Sequence, residues 1–64
     1  MNLDTKSIWI GKKVKIEILK DNTHLNFNAL ILEYDNKIIT FKDRDGLIFS
    51  FNVDLVQQIK EVLQ

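Results

Sequence analysis

The run Leu30 to Asp43 leaves this chain few choices of fold. Leu30-Ile31-Leu32-Glu33-Tyr34 and Lys37-Ile38-Ile39-Thr40-Phe41-Lys42-Asp43 are rich in apolar residues with strong strand preference. Between them stands Asp35-Asn36, a pair that tolerates the left-handed backbone of a tight reversal. The stretch is therefore expected to form an antiparallel hairpin turning at Asp35-Asn36, with the rest of the chain wrapped around it.

The flanking sequence reads in the same way. In Lys12–Lys20, Val14, Ile16 and Ile18 alternate with Lys13, Lys15, Glu17 and Leu19, the period-two pattern of a half-buried strand. Asp21-Asn22-Thr23-His24 is polar and reads as a loop. From Leu25 to Tyr34, Leu25, Phe27, Ala29 and Ile31 share one face, and Asn26, Asn28, Leu30, Leu32 and Tyr34 share the other. The second face turns apolar near Leu30, as in a bent strand shared between two sheets, with the small Ala29 at the bend. Arg44-Asp45-Gly46 carries the Asp-Gly turn signal. It leads into Leu47–Val53, where Leu47, Phe49, Phe51 and Val53 are expected to face in. A single tight helical turn is expected over Asn52–Leu55. Val56 to Leu63 fits a fifth strand, although Leu55, Val56, Ile59, Val62 and Leu63 also fit helical spacing. The strand is favoured because it would close a barrel. At the start, Leu3–Trp9 reads as one or two helical turns capped by Asp4 or Thr5 and ended by Gly11, with Leu3, Ile8 and Trp9 plugging one end.

The expected fold is all-β: a small five-stranded antiparallel barrel over 11–64 with a short N-terminal helix as lead-in over 1–10. With 64 residues it is one domain. A core this small is marginally stable unless something supports it. There is no Cys, which removes disulfides and thiolate metal sites; a lone His24 cannot build a zinc site. Oligomerisation remains as a source of support, and a well-closed small barrel without any helper is the other option. No apolar run is long enough to span a membrane, and the N-terminus lacks signal-peptide features, so a cytoplasmic location is expected. Lys+Arg and Asp+Glu balance at nine each, so nucleic-acid binding would have to rest on a local patch rather than on net charge.

Little supports catalysis. His24 reads as a solvated loop residue. Ser7 and Ser50 lack a neighbouring His or a glycine-rich elbow. Gly11 and Gly46 cannot cradle a phosphate between them. Asp43 and Asp45 flank Arg44 and would suit metal or acid–base work only as a pair; a solvated turn is the commoner arrangement. Three other groups of residues invite binding. Lys12, Lys13 and Lys15 cluster at the start of the first strand, and Lys13 and Lys15 share its solvated face about 7 Å apart, near the spacing of adjacent phosphates; alternating Lys also simply solubilises an edge. Tyr34, Asn36 and Lys37 form a polar-aromatic loop tip, where the ring would either contact a partner or pack on the barrel. Leu30, Leu32 and Ile48 lie on faces that should point outward and, with Val56 and Ile59 of the last strand, mark a candidate protein interface.

Ile10-Gly11-Lys12-Lys13-Val14-Lys15-Ile16-Glu17-Ile18 resembles the first strand of Sm-like proteins, and Leu30 to Asp43 resembles their second and third strands. Tyr34-Asp35-Asn36 is similar to the turn of the bacterial RNA chaperone Hfq. Ile10–Val14 and Phe51-Asn52-Val53-Asp54-Leu55-Val56 are similar to the C-terminal domain of the ribosome maturation factor RimP. The resemblance covers roughly residues 8–63. It implies an Sm-like (SH3-like) barrel in a bacterial, non-enzymatic module without a cofactor. It further implies binding of RNA or a ribonucleoprotein component, with the 34–37 loop meeting bases and edge strands available for homo-oligomer pairing. Three positions depart from the pattern. Ala29 stands near a usual Gly, Lys37 stands where Hfq carries a stacking aromatic, and Ser50-Phe51-Asn52-Val53-Asp54 lacks the Tyr-Lys-His motif. The competing reading is a protein-assembly module acting through its strand edges.

Overall fold

The computed structural model describes residues 8–62. Five antiparallel strands form one sheet: β1 (Lys13–Lys20), β2 (Thr23–Tyr34), β3 (Ile38–Asp43), β4 (Ile48–Asn52) and β5 (Val56–Glu61). Their spatial order is β4-β3-β2-β1-β5. The last segment is thus a strand, and its Val56 and Ile59 pair with β1 as Ile18↔Val56 and Ile16↔Ile59. No α-helix is present among the described residues. Most of the expected helical lead-in, Leu3 to Ser7, lies outside them. Its described end is a turn, in which the Lys12 N–H donates to the Trp9 carbonyl at 3.1 Å. Trp9 packs against the core, whereas Ile8 is exposed and plugs nothing.

The expected closed barrel is not formed. Strands β4 and β5 are the two edges of the sheet and do not pair. Yet only the three-residue 3-10 turn Val53–Leu55 separates them in the chain, so the edges converge at that end and the sheet must curl strongly. The Asn52 side chain caps this turn by accepting from the Asp54 N–H at 2.8 Å. The Val53 N–H donates to the Lys37 carbonyl at 2.7 Å, tying the turn to the β2–β3 loop.

The core follows from alternation where alternation holds. Val14, Ile16 and Ile18 of β1 and Ile39 and Phe41 of β3 are buried, as expected. Phe27, Phe41, Phe49 and Phe51 form one aromatic cluster: Phe27 lies 5.1 Å from Phe41 and 5.0 Å from Phe49, between ring centroids. These are tilted contacts that add to the burial of their large apolar surfaces. Across the open side, the Lys20 ammonium sits 5.8 Å from the Phe51 ring centroid. Leu47, expected to face in, is 59% exposed, because β4 begins one residue later at Ile48.

Two bulges reset the alternation elsewhere. Ile31 stands opposite Phe41 and Glu33 opposite Thr40, so Leu32 is an extra residue in β2. A bulge of this kind bends the strand and increases its twist. Beyond it Tyr34 stands opposite the buried Ile39 and packs against the core, not on the outer face where unbroken alternation puts it. In β5, Val56 stands opposite Ile18 and Gln58 opposite Glu17, so Gln57 is the extra residue. Val56 and Ile59, three apart, therefore both turn to the core side.

The reversals also differ from expectation. The hairpin with left-handed non-glycine residues is Asp21-Asn22, with φ of 52° and 63°. It makes Thr23 and His24 strand residues instead of loop. At the β2–β3 turn neither Asp35 nor Asn36 has a positive φ. There the Asp35 carboxylate closes the loop through Oδ1, accepting from the Lys37 N–H at 2.7 Å and the Ile38 N–H at 2.8 Å. Asp43 does the same at the next turn, accepting from the Asp45 and Leu47 N–H groups at 2.9 Å each. Gly46 supplies that turn's positive φ, 84°.

Candidate nucleic-acid interface

Residues facing one another across an antiparallel sheet share a face, so the register assembles the outer surface row by row. Lys13 of β1 is opposite Leu30 of β2, which is opposite Lys42 of β3, which is opposite Ile48 of β4. The adjacent row holds Asn28 of β2, Lys15 of β1 and Lys60 of β5. The row after that holds Asn26, Glu17 and Gln58. Two shallow grooves cut this face. One, of about 370 Å³, is lined by Lys15, Lys60, Asn26, Asn28, Gln58 and Glu17 together with Ile16 and Phe27. The other, of about 460 Å³, is lined by Lys13, Lys42, Arg44, Asn28, Leu30 and Val62 among others. They share Asn28.

The charges are sorted over the molecule. Asp21, Asp35, Asp43 and Asp45 stand at or beside chain reversals and Asp54 lies in the 3-10 turn; Asp35 and Asp43 accept from backbone N–H groups there, while Glu17, Glu33 and Glu61 lie on strands. Two carboxylates lie beside the cations of the rows: Asp43 lines the groove of Lys13, Lys42 and Arg44, and Glu17 lines that of Lys15 and Lys60, with its Oε2 2.6 Å from Nδ1 of His24. Among the described residues the carboxylate contacts to basic side chains are the Lys12–Glu61 ion pair and the His24–Glu17 contact. Lys13, Lys15, Lys42, Arg44 and Lys60 enter neither.

The sequence-predicted residues fall into separate places. Lys13 and Lys15 are exposed on the outer face, as their alternation implies. Lys12 belongs to the other face, half-buried, with its ammonium 3.2 Å from Glu61 Oε2. Asn36 and Lys37 are exposed at the β2–β3 loop. Tyr34, at the loop's start, is half-buried on the core. It is six residues from Asn28, or about 20 Å along β2, so the loop and the lysine pair are not one site. The candidate interface residues also scatter. Ile48 is 61% exposed on edge strand β4, as expected. Leu30 and Leu32 are half-buried. Val56 has no exposure and Ile59 packs against the core, so neither is open interface surface. Lys42 and Lys60 join the lysine pair through register, a relation between strands that spacing within one strand does not carry, and Arg44 joins from the turn after β3 by lining the same groove.

Among the described residues no group of three or more His, Cys, Asp or Glu side chains is placed to hold a metal ion. No helix among them is long and apolar enough to cross a membrane. Compared with protein-family models, curated proteins and solved structures, the chain matches none.

Proposed function

We propose that this chain is a non-enzymatic, cytoplasmic module of Sm-like type that binds RNA or a ribonucleoprotein component. The observation that carries the reading is the outer face of β1, where Lys13 and Lys15 are exposed, side by side and without a carboxylate partner among the described residues. Such cations cost little to desolvate against phosphates and release counterions when they bind them. The Sm-like part rests on the short motifs around Gly11 and Asp35 and is in keeping with a curled five-stranded sheet whose fourth and fifth strands are its free edges. Exposed Asn36 and Lys37 supply a second polar contact at the loop tip. With Tyr34 packed on the core, that contact is polar rather than a stacking platform.

Fluorescence anisotropy with labelled oligo-uridine and oligo-adenine tests the reading. Binding that weakens steeply between about 50 and about 200 mM salt is the expected result. Absence of binding to either oligonucleotide at the lower salt overturns it.

A second reading has its own observation. Leu47 and Ile48 are 59% and 61% exposed beside the unpaired edge of β4, an arrangement suited to strand addition. In that case the chain is an assembly module, and light scattering will give a discrete oligomer that Ile48→Lys dissociates and salt does not.

A further inference from the structure

The structure assigns a specific binding track to this chain: the outer face of β5, β1, β2 and β3 holds the backbone of a single-stranded polynucleotide through Lys60, Lys15, Lys13, Lys42 and Arg44. This inference rests on the nucleic-acid reading above and names where and how the strand is held.

Four observations point there. First, four of the cations, Lys60, Lys15, Lys13 and Lys42, lie in two adjacent rows crossing four neighbouring strands, a band about 14 Å across at the usual strand spacing. That is room for about three nucleotides of extended chain. Arg44, in the turn after β3, lines the same groove as Lys13 and Lys42. Second, Lys15 and Lys60 are directly opposite each other, a like-charge pair that weakens a sheet unless an anion sits over it. Third, Asn28 lies at the junction of the two grooves, with Asn26 and Gln58 in the next row. Carboxamides both donate and accept. Phosphate needs donors alone, whereas base edges and 2′-hydroxyls use both. Fourth, the aromatic side chains Trp9, Phe27, Tyr34, Phe41, Phe49 and Phe51 are buried in or packed against the core. Stacking therefore contributes little on this face, and the strand is held chiefly through its phosphates, which carry no sequence information. Leu30, within the band, is half-buried, but its row ends at the exposed Ile48 beside Leu47, so the vesicle arm of the test is what separates a lipid surface from a polynucleotide.

The test uses the full chain, labelled 12-nucleotide oligo-uridine and oligo-adenine, and vesicles of anionic phospholipid. The key variant is Lys15→Glu with Lys60→Glu. Lys12→Glu is the control off the track, Lys37→Glu measures the separate loop contact, and circular dichroism melts establish that each variant is folded. Engagement of about four phosphates gives the wild type a loss of about 50-fold between about 50 and about 200 mM salt. In the double variant affinity at low salt is expected to fall at least about 30-fold, and the salt effect to shrink to about sevenfold. Lys12→Glu stays within about twofold, and both homopolymers bind alike. Should the double variant bind as wild type while Lys37→Glu abolishes binding, the track is overturned and the RNA reading survives through the loop. Should neither oligonucleotide bind the wild type, both fall, and retention on the vesicles would reassign the cations to a lipid surface. If the double variant fails to fold, Asn28→Asp with Lys42→Glu takes its place under the same criteria.

Discussion

Lys15 on β1 and Lys60 on β5 face each other directly across the sheet, two exposed ammonium groups on one surface with no ion-pair partner among the described residues. A fold selected for stability alone would place a carboxylate at one of these positions. Like charges in this arrangement are destabilising by a few tenths of a kcal/mol to about 1 kcal/mol. Lys60→Glu is accordingly expected to raise the melting temperature at low salt while weakening oligonucleotide binding. Thermal melts and anisotropy on the same preparation check this opposition. A variant that is both less stable and less able to bind contradicts it.

The Asp21-Asn22 reversal carries its own prediction. Both residues sit in the left-handed region, which costs an ordinary L-residue roughly 1–2 kcal/mol and Asn or Gly far less. Asn22→Val should destabilise the domain by about that amount, and Asn22→Gly should leave it at least as stable as wild type. Urea titration followed by circular dichroism separates the two outcomes.

Asp35 closes the β2–β3 loop with a single carboxylate oxygen accepting from two N–H groups. Asp35→Ala leaves those exposed donors to water and should cost about 0.5–1.5 kcal/mol per hydrogen bond lost. Asp35→Asn keeps an acceptor at the position and should recover most of the loss. Equal damage from the two variants would show that charge, not the acceptor geometry, holds the loop.

The bulges can be tested by shortening the chain. If Gln57 is an extra residue, its deletion leaves Val56 opposite Ile18 and Ile59 opposite Ile16, and the domain should still unfold cooperatively. Deleting Glu17 instead puts Ile16 and Ile18 on opposite faces and should abolish folding. Guanidinium titrations of the two deletions decide the point: loss of cooperativity in the Gln57 deletion would contradict the assigned register.

These bulges also mark the limit of what the sequence discloses. Where pairing is regular, as through Val14, Ile16 and Ile18, alternation alone gave the right faces. Across each bulge two core-side residues become three apart, Ile31 with Tyr34 and Val56 with Ile59. That spacing imitates a helix in the last segment and sends Tyr34 to the wrong face in β2. The slip is set by the partner strand's register, so no local pattern reports it. The same limit explains the site. Lys13 and Lys15 were visible as alternating neighbours, whereas Lys42, Arg44 and Lys60 are distant in sequence and become neighbours only when strands pair. The turns were legible as turns but not as types: Asp35-Asn36 and Asp21-Asn22 have the same composition, yet only the second adopts the left-handed backbone.

A chain with nine positive and nine negative side chains is nearly invisible electrically from afar. Because most of the described Asp residues stand at reversals while Lys13, Lys15, Lys42 and Lys60 share one strand face, it presents a field only to what is already close. At physiological ionic strength that reach is about 8 Å. Its encounters with a polyanion would therefore depend on collision rather than on guidance over distance, and it would circulate among the other charged polymers of its surroundings without being captured by each of them.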